Sequence, residues 1–366
     1  MEKLNPWGND LVQDYDKLFS EFGLQKLSPE LLKTLSESKS FRRGLIFAHR
    51  DFDKFALAAQ AGKKTAVITG IKPSSDFHLG SKMTAEEIIF LQRKFKSKLF
   101  YAIADLEAYA DNGISLEQSH ENAIDNVADL LALGLDEKNA FVYKQSQNIN
   151  VSNLAQLSAK KVTLATLESL YGHQNLGLYM AVLTQVGDIL QPQLKEFEGP
   201  KQVVVPVGID QDPHIRLSRD IAAKFQGEYG FFPPAATYHQ FFRALNGETK
   251  MSKRDPMNVL TLNDSAEAVE KKVKNALTGG RATAEEQRRL GGEIKKCVVY
   301  ELMKFHFQED DKKLDEMYKE CTTGKILCGE CKLKRIPEIS AFLKKHQEKK
   351  KKMRKKAEKM LEKNAK

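Results

Sequence analysis

The chain has 366 residues, enough for two or three domains with cores of their own. Its 41% hydrophobic and 29% charged residues suit a soluble globular protein, and no apolar run approaches the ~20 residues that cross a bilayer, so no membrane partner is expected. The opening Met1-Glu2-Lys3-Leu4-Asn5-Pro6-Trp7 lacks a secretory pattern, which makes the cytoplasm the expected compartment.

The first sixty residues read as helical, with Ser28 as an N-cap and Pro29 opening a helix. The texture then changes. Thr65-Ala66-Val67-Ile68-Thr69 is short, apolar and β-branched, as a buried parallel strand would be. A turn through Gly70 and Pro73 follows it, and from Ser81 the residues Met83, Ile88, Leu91 and Phe95 have helical spacing. Leu99–Ala104 and Phe141–Tyr143 are further strand candidates, and Val203–Val207 resumes the series after a largely helical stretch. Asp212 is the expected N-cap of the next helix, with Pro213 at its first position. Beyond Leu262 the pattern is helical.

Strands alternating with helices predict a Rossmann-like doubly wound parallel sheet with a helical insertion, plus a C-terminal α-helical domain. The expected division is an N-terminal helical extension over 1–62, a catalytic domain over 63–258 with its insertion at about 107–200, and a C-terminal domain over 259–343. A basic tail over 344–366 completes it. That tail holds twelve Lys and Arg against three Glu, so it supplies the whole net charge of +9. It reads either as a contact for nucleic-acid phosphates or as a solvated terminus. The four cysteines make no disulfide framework, and Cys328 and Cys331 form a CxxC without a second ligand pair at comparable spacing. They read as structural or incidental thiols, and no metal is assigned to them.

Ligands of such a sheet bind at the carboxyl ends of its strands, beside helix N-termini. Three segments would meet there. In His78-Leu79-Gly80-Ser81, Gly80 leaves room for a flat adenine, and His78 can donate to a phosphate whose charge grows as pyrophosphate leaves. A histidine near a turn is otherwise simply solvated. In Gly208-Ile209-Asp210-Gln211-Asp212 a carboxylate can accept both hydroxyls of a ribose, while Asp212 serves equally as a helix cap. Lys250-Met251-Ser252-Lys253-Arg254, between Gly247 and Pro256, suits a cationic loop closing over a triphosphate, though basic surface loops are common.

In this order and spacing the three segments resemble the class I aminoacyl-tRNA synthetases, with their HIGH and KMSKS signatures. Lys250–Arg254 matches KMSKS at four of its five positions, and His78–Ser81 departs from HIGH in carrying Ser81 where the last histidine belongs. The likeness extends to the tryptophanyl enzymes of archaea and eukaryotes. It runs through Asn5-Pro6-Trp7, Asp14–Leu18, Phe41–Gly44 with His49–Asp51, Gly208–His214 with Arg219-Asp220, and Gly324–Lys332, where other relatives lack the cysteines.

The resemblance implies tryptophan activation by ATP with Mg²⁺, followed by transfer to tRNA(Trp), in a homodimer formed through the helical insertion. It implies catalytic roles for His78, Ser81, Lys250 and Lys253, and ATP binding by Thr69, Gly80, Gly208, Asp210, Met251 and Ser252. The amino acid would meet Ile68, Gln185, Asp188 and Gln211. Tyrosyl relatives share Gln185-x-x-Asp188 but carry tyrosines at the positions of Ile68 and Ala181, and two missing hydroxyls favour a larger, more apolar ring. Eukaryotic tryptophanyl relatives also have a tyrosine at the position of Ile68, so this chain must read the indole N–H differently, with Gln185 or Asp188 as the acceptor. The alternatives are a tyrosyl enzyme, an inactive RNA-binding paralogue favoured only by Ser81, and a small-molecule adenylyltransferase, which would lack the long helical C-terminus.

Overall fold

The computed structural model describes residues 4–8, 10–12, 14–251 and 255–363. The stretch expected to start the sheet does so. Strand β2 (Thr65–Ile71) is followed by the helix Leu79–Phe95, β3 (Lys98–Ile103) and β4 (Ala140–Lys144), and β5 (Gln202–Gly208) resumes the sheet beyond the insertion. Two further strands are β1 (Ile46–Arg50) and β6 (Ala235–His239). The sheet runs β1-β6-β5-β2-β3-β4, parallel except for β1, which lies antiparallel at the edge beside β6. Strand β1 falls in the stretch that reads as helical. Five residues are too few for periodicity to separate a strand from a helical turn.

Side chains alternate across the sheet, as the two-residue period of a strand demands. Val67, Leu99, Val142 and Val204 enter a core shared with the helices Leu79–Phe95 and Leu116–Leu133. Ala66, Ile68, Phe100 and Val205 enter a second core on the other face. A third core joins the insertion helices Ile149–Ala159, Leu164–Tyr171 and Leu176–Leu190 to the helix Asp212–Lys224 through residues such as Leu154, Tyr171, Val182 and Leu217.

One feature of the pairing shapes everything above it. Strands β2 and β5 are bonded at Thr65, Ala66 and Val67, and the ladder ends at Val67↔Val204. Beyond that point β2 stays paired to β3 as far as Ile71, and β5 to β6 as far as Gly208. The sheet therefore forks. Pro206, which has no N–H to give a ladder, sits where β5 is paired to β6 but has parted from β2, and Thr69 Oγ1 donates to its carbonyl across the gap at 3.0 Å. Chain order also reverses here, since β3 and β4 extend the sheet one way and β5 and β6 the other. Such a switch point is where doubly wound sheets bind ligands.

After β6 the chain is mainly helical, ending in one helix, Cys328–Lys363. Residues 344–363 are part of that helix, and their inner face is docked. Lys350 is buried, its ammonium donating to Asp125 Oδ2 (2.6 Å), Asp129 Oδ2 (2.8 Å) and Asn263 Oδ1 (2.7 Å), while His346 Nε2 meets Asp129 Oδ1 at 2.7 Å. Ala357 and Leu361 are buried in the sheet's first core. Lys351, Lys352 and Lys355 point outward and are exposed.

Candidate functional site

Two adjoining cavities open where β2 and β5 part. The outer one, about 360 Å³, is lined by His78, Gly80, Ser81, Asp210, Lys250 and Met251 among others. The inner one, about 290 Å³, is lined by Ile68, Thr69, Glu107, Gln185, Asp188 and Gln211 among others. Gly70, Ile71, Lys72, Thr84, Gly208 and Pro6 belong to both. Every site residue expected from the sequence and lying among the described residues thus borders one chamber or the other. Ser252 and Lys253, with Arg254, lie outside the described residues. Thr69, expected on the nucleotide side, borders the inner chamber.

In the outer chamber His78 caps the helix Leu79–Phe95. Its Nδ1 accepts the Ser81 backbone N–H at 3.2 Å, and the Ser81 hydroxyl stands 3.5 Å from Nε2. With Nδ1 accepting, the ring proton belongs on Nε2. A Cβ on Gly80 would come within 2.9 Å of His78 Cε1, so the glycine makes room for this ring as well as for anything lying over it. The site also sits at the positive end of a seventeen-residue helix, which favours an anion.

Asp210 lies in the turn Ile209–Gln211 directly after β5. Lys250 donates to its Oδ2 at 2.6 Å and stands 5.1 Å above the Phe241 ring, while Gln211 Nε2 reaches the same oxygen at 3.2 Å. Asp212 departs from expectation. It is the first residue of its helix rather than the cap, and its buried carboxylate accepts from Arg50 Nε (2.8 Å), Arg50 Nη2 (2.9 Å) and the Tyr238 hydroxyl (2.5 Å). Those bonds tie edge strand β1 and strand β6 to the helix after β5.

Asp188 and Gln185 project from the helix Leu176–Leu190 into the inner chamber. The Asp188 carboxylate is buried and accepts from the Tyr143 hydroxyl at 2.8 Å and Gln145 Nε2 at 2.6 Å. Burial lifts its pKa to about 7, against the pull of those two donors, with Glu107 and Asp105 adding to the rise. Gln185 Nε2 donates to Glu107 Oε2 at 2.8 Å. Glu107 Oε1 accepts from the Trp7 indole N–H at 3.4 Å and lies 3.9 Å from the Lys72 ammonium, which also pairs with Asp111. Ile68 is buried and supplies apolar wall. His214 borders the chamber too; burial lowers its pKa to about 3, so its ring is neutral.

Glu107, Gln145 and Lys72 were missed in the sequence. A signal existed for the first, because Asp105-Leu106-Glu107 follows β3 at the carboxyl edge of the sheet, where ligands bind. A carboxylate bonded to a glutamine at the chamber wall can hold an ammonium. An acceptor deep in an apolar chamber can select a ring with one N–H. The outer chamber offers a ribose acceptor, a helix N-terminus and a lysine for phosphates. The arrangement suits joining an amino acid to a nucleotide.

The family of class I tRNA synthetases for W and Y matches residues 60–363. The chain is 44% identical to the tryptophan–tRNA ligase of Hyperthermus butylicus over 352 residues, covering 94% of each protein. It is 41% identical to that of Methanocaldococcus jannaschii over 366 residues, covering 98% of each. The crystal structure of the tryptophanyl-tRNA synthetase of Aeropyrum pernix superposes with a TM-score of 0.91 at 43% identity, covering 98% of this chain and 99% of that one. The forked sheet, its two chambers and likeness along nearly the whole length agree, and the chain belongs to the class I aminoacyl-tRNA synthetases of the tryptophan and tyrosine family.

Proposed function

We propose that the two chambers carry out the reactions of a tryptophan–tRNA ligase, forming tryptophanyl-adenylate from tryptophan and ATP and then esterifying the 3′ end of tRNA(Trp). The adjacency of the chambers carries this reading. An amino acid in the inner one would present its carboxylate at their common wall, Gly70 to Lys72, in line with the α-phosphate of a nucleotide in the outer one. Glu107 and Gln185 hold the α-ammonium, Gln211 closes the chamber near Pro6, and Asp188 accepts the indole N–H. Such a buried acceptor discriminates against phenylalanine, which would leave it unmatched. Ile68 and Thr69 form the wall beside the ring.

Asp210 holds the ribose, with Gly208 and Gly80 leaving the nucleotide room and Met251 closing the far side. His78 Nε2–H, the helix end behind it and Lys250 stabilise charge on the departing pyrophosphate, a role shared by Ser252 and Lys253 of the same sequence motif, which lie outside the described residues. Ser81 holds the His78 ring. Mg²⁺ arrives bound to ATP as part of the substrate. The tRNA terminal hydroxyl then attacks the adenylate carbonyl, expelling AMP.

The helical C-terminal domain serves as anticodon reader, and the outward lysines of the last helix add phosphate contacts. The enzyme works in the cytoplasm as a homodimer. Exposed Tyr109, Leu116, Ile149, Leu164, Leu176 and Met180, all in the helical insertion, support that contact.

ATP–pyrophosphate exchange measured with each of the twenty amino acids tests the reading, and exchange with tryptophan alone is expected. Exchange with tyrosine would overturn the substrate assignment, and none at all would favour an inactive paralogue. Replacing Lys351, Lys352 and Lys355 by Glu should lower tRNA charging several-fold while exchange stays within about twofold.

A further inference from the structure

One wall residue of the outer chamber takes no part in those roles. His239 is the last residue of β6, at the carboxyl edge of the sheet, in register with Gly208 of β5. Glu87 and Thr237 stand behind it. Glu87 belongs to the helix Leu79–Phe95 that His78 caps, and Thr237 precedes His239 by two residues, on the same face of β6. All three are buried.

A buried polar atom with nothing to bond is rare, and here two face each other. Glu87 Oε1 accepts the Thr237 hydroxyl at 2.5 Å, but Glu87 Oε2 has no hydrogen-bond partner. His239 Nδ1 has none either, and it lies 3.9 Å from that oxygen. Burial lifts the Glu87 pKa to about 8, against the donation from Thr237. Burial also lowers that of His239 to about 4, with Asp210 pulling it up and Lys250 pushing it down. Near neutrality both groups are therefore largely uncharged.

One arrangement then satisfies both facing atoms without separating charge. The Glu87 Oε2–H donates to Nδ1, and the ring's own proton belongs on Nε2. The 3.9 Å gap is about 1 Å longer than such a bond, so a small turn of the ring closes it. A Cβ on Gly208 would lie 3.6 Å from His239 Nε2 and 2.6 Å from Asp210 Oδ1. A donor and an acceptor thus flank one point beside a residue with no side chain to fill it. A vicinal diol fits such a pair, because each hydroxyl both donates and accepts. A phosphate does not, since Asp210 would repel it.

We propose that His239 is a nucleotide-binding residue, its Nε2–H donating to a ribose hydroxyl oxygen while Asp210 accepts from the diol, and that Glu87 and Thr237 are positioning residues that hold its tautomer. This role rests on the outer chamber being the nucleotide site proposed above. It makes recognition of the sugar two-sided, with a carboxylate that accepts and an imidazole that donates. It also ties the helix that begins at the phosphates to the strand that ends at the sugar.

The test is calorimetry of ATP, 2′-deoxy-ATP and 3′-deoxy-ATP on wild type and on His239→Phe, which keeps a ring but loses the N–H. ATP should bind the variant at least about fivefold more weakly, the worth of one hydrogen bond at a wall that water leaves. The deoxynucleotide that lacks the oxygen met by Nε2–H should lose less than about twofold. Equal losses for all three nucleotides would mean that His239 only shapes the wall, and would overturn the proposal, as would an unchanged affinity for ATP. Glu87→Met and Glu87→Gln read the positioning role, and they carry the test if His239→Phe fails to fold. Methionine removes the donor to Nδ1 and should narrow the gap between ATP and that deoxynucleotide about threefold or more. Glutamine, whose amide N–H can donate in place of the carboxyl, should restore most of the gap. Equal effects of the two substitutions would remove Glu87 from this role. Wild type that binds no ATP would instead bring down the nucleotide reading of the chamber, and this inference with it.

Discussion

Asp188 is where specificity and acidity meet. With its pKa lifted to about 7, the carboxyl is partly protonated near neutrality, and protonation would weaken it in the proposed role of acceptor for the indole N–H. The KM for tryptophan should therefore rise as pH falls from about 8 to about 6, with kcat changing less. Asp188→Asn should raise KM roughly tenfold or more at the higher pH, the worth of a buried charge-assisted hydrogen bond, and should flatten the pH profile. Steady-state exchange kinetics at several pH values check both. A KM of the variant equal to wild type would remove Asp188 from indole recognition. Asp188 and Gln185 were legible because they share a helix at a recognisable spacing, whereas the only signal for Glu107 was its place just after β3, its partner Gln185 being remote in sequence. Ser81 shows why a motif can vary. The group that fixes the His78 ring is the backbone N–H of residue 81, which does not depend on the side chain.

At the scale of elements, the four strands first read from the sequence each hold a run of β-branched or aromatic apolar residues, and that run carries the signal whether the strand is central, as β2, β3 and β5 are, or at an edge, as β4 is. Strands β1 and β6 were not legible. Their residues, Ile46-Phe47-Ala48-His49-Arg50 and Ala235-Ala236-Thr237-Tyr238-His239, mix alanine, histidine and arginine into short stretches, although β6 is wholly buried. The final helix was legible as basic and helical but not as docked, since docking depends on acids far away in sequence. Asp129 is fully buried and shared by His346 and Lys350. Asp129→Asn should cost about 3 kcal/mol, because it takes from a buried ammonium the one fully buried carboxylate of the two that face it. Adding Lys350→Met to it should recover part of that loss. Urea unfolding of both variants measures the effect, and a change below about 0.5 kcal/mol for Asp129→Asn would mean that the helix does not depend on this contact.

For the whole molecule, the doubly wound architecture and the meeting of three distant segments at one strand edge were legible from order and spacing alone. The division into two chambers was not, because it arises from the early end of the β2–β5 ladder rather than from any residue type. The outer surface bears on assembly. Leu176 is 74% exposed on the helical insertion. A homodimer through that surface should be broken by Leu176→Arg, seen by light scattering as a halved mass, with the fold unchanged by circular dichroism. An unchanged mass would move the dimer contact elsewhere.

The pair between Lys250 and Asp210 gives the outer chamber a preference that no single contact would. A bare nucleoside must take Asp210 from a cation using only neutral hydroxyls. A triphosphate brings its own counter-charge, so the lysine can change partners instead of losing one. With the proposed roles of Lys250 and Asp210, the gap in affinity between ATP and adenosine should be widened from both ends, because the side chain that would welcome the phosphates would obstruct the sugar that comes without them. Calorimetry on Lys250→Met should show that gap narrowing, with adenosine binding more tightly and ATP more weakly than in wild type. Discrimination against spent or partial nucleotides would thus be built into the resting arrangement of the chamber, ahead of any chemistry.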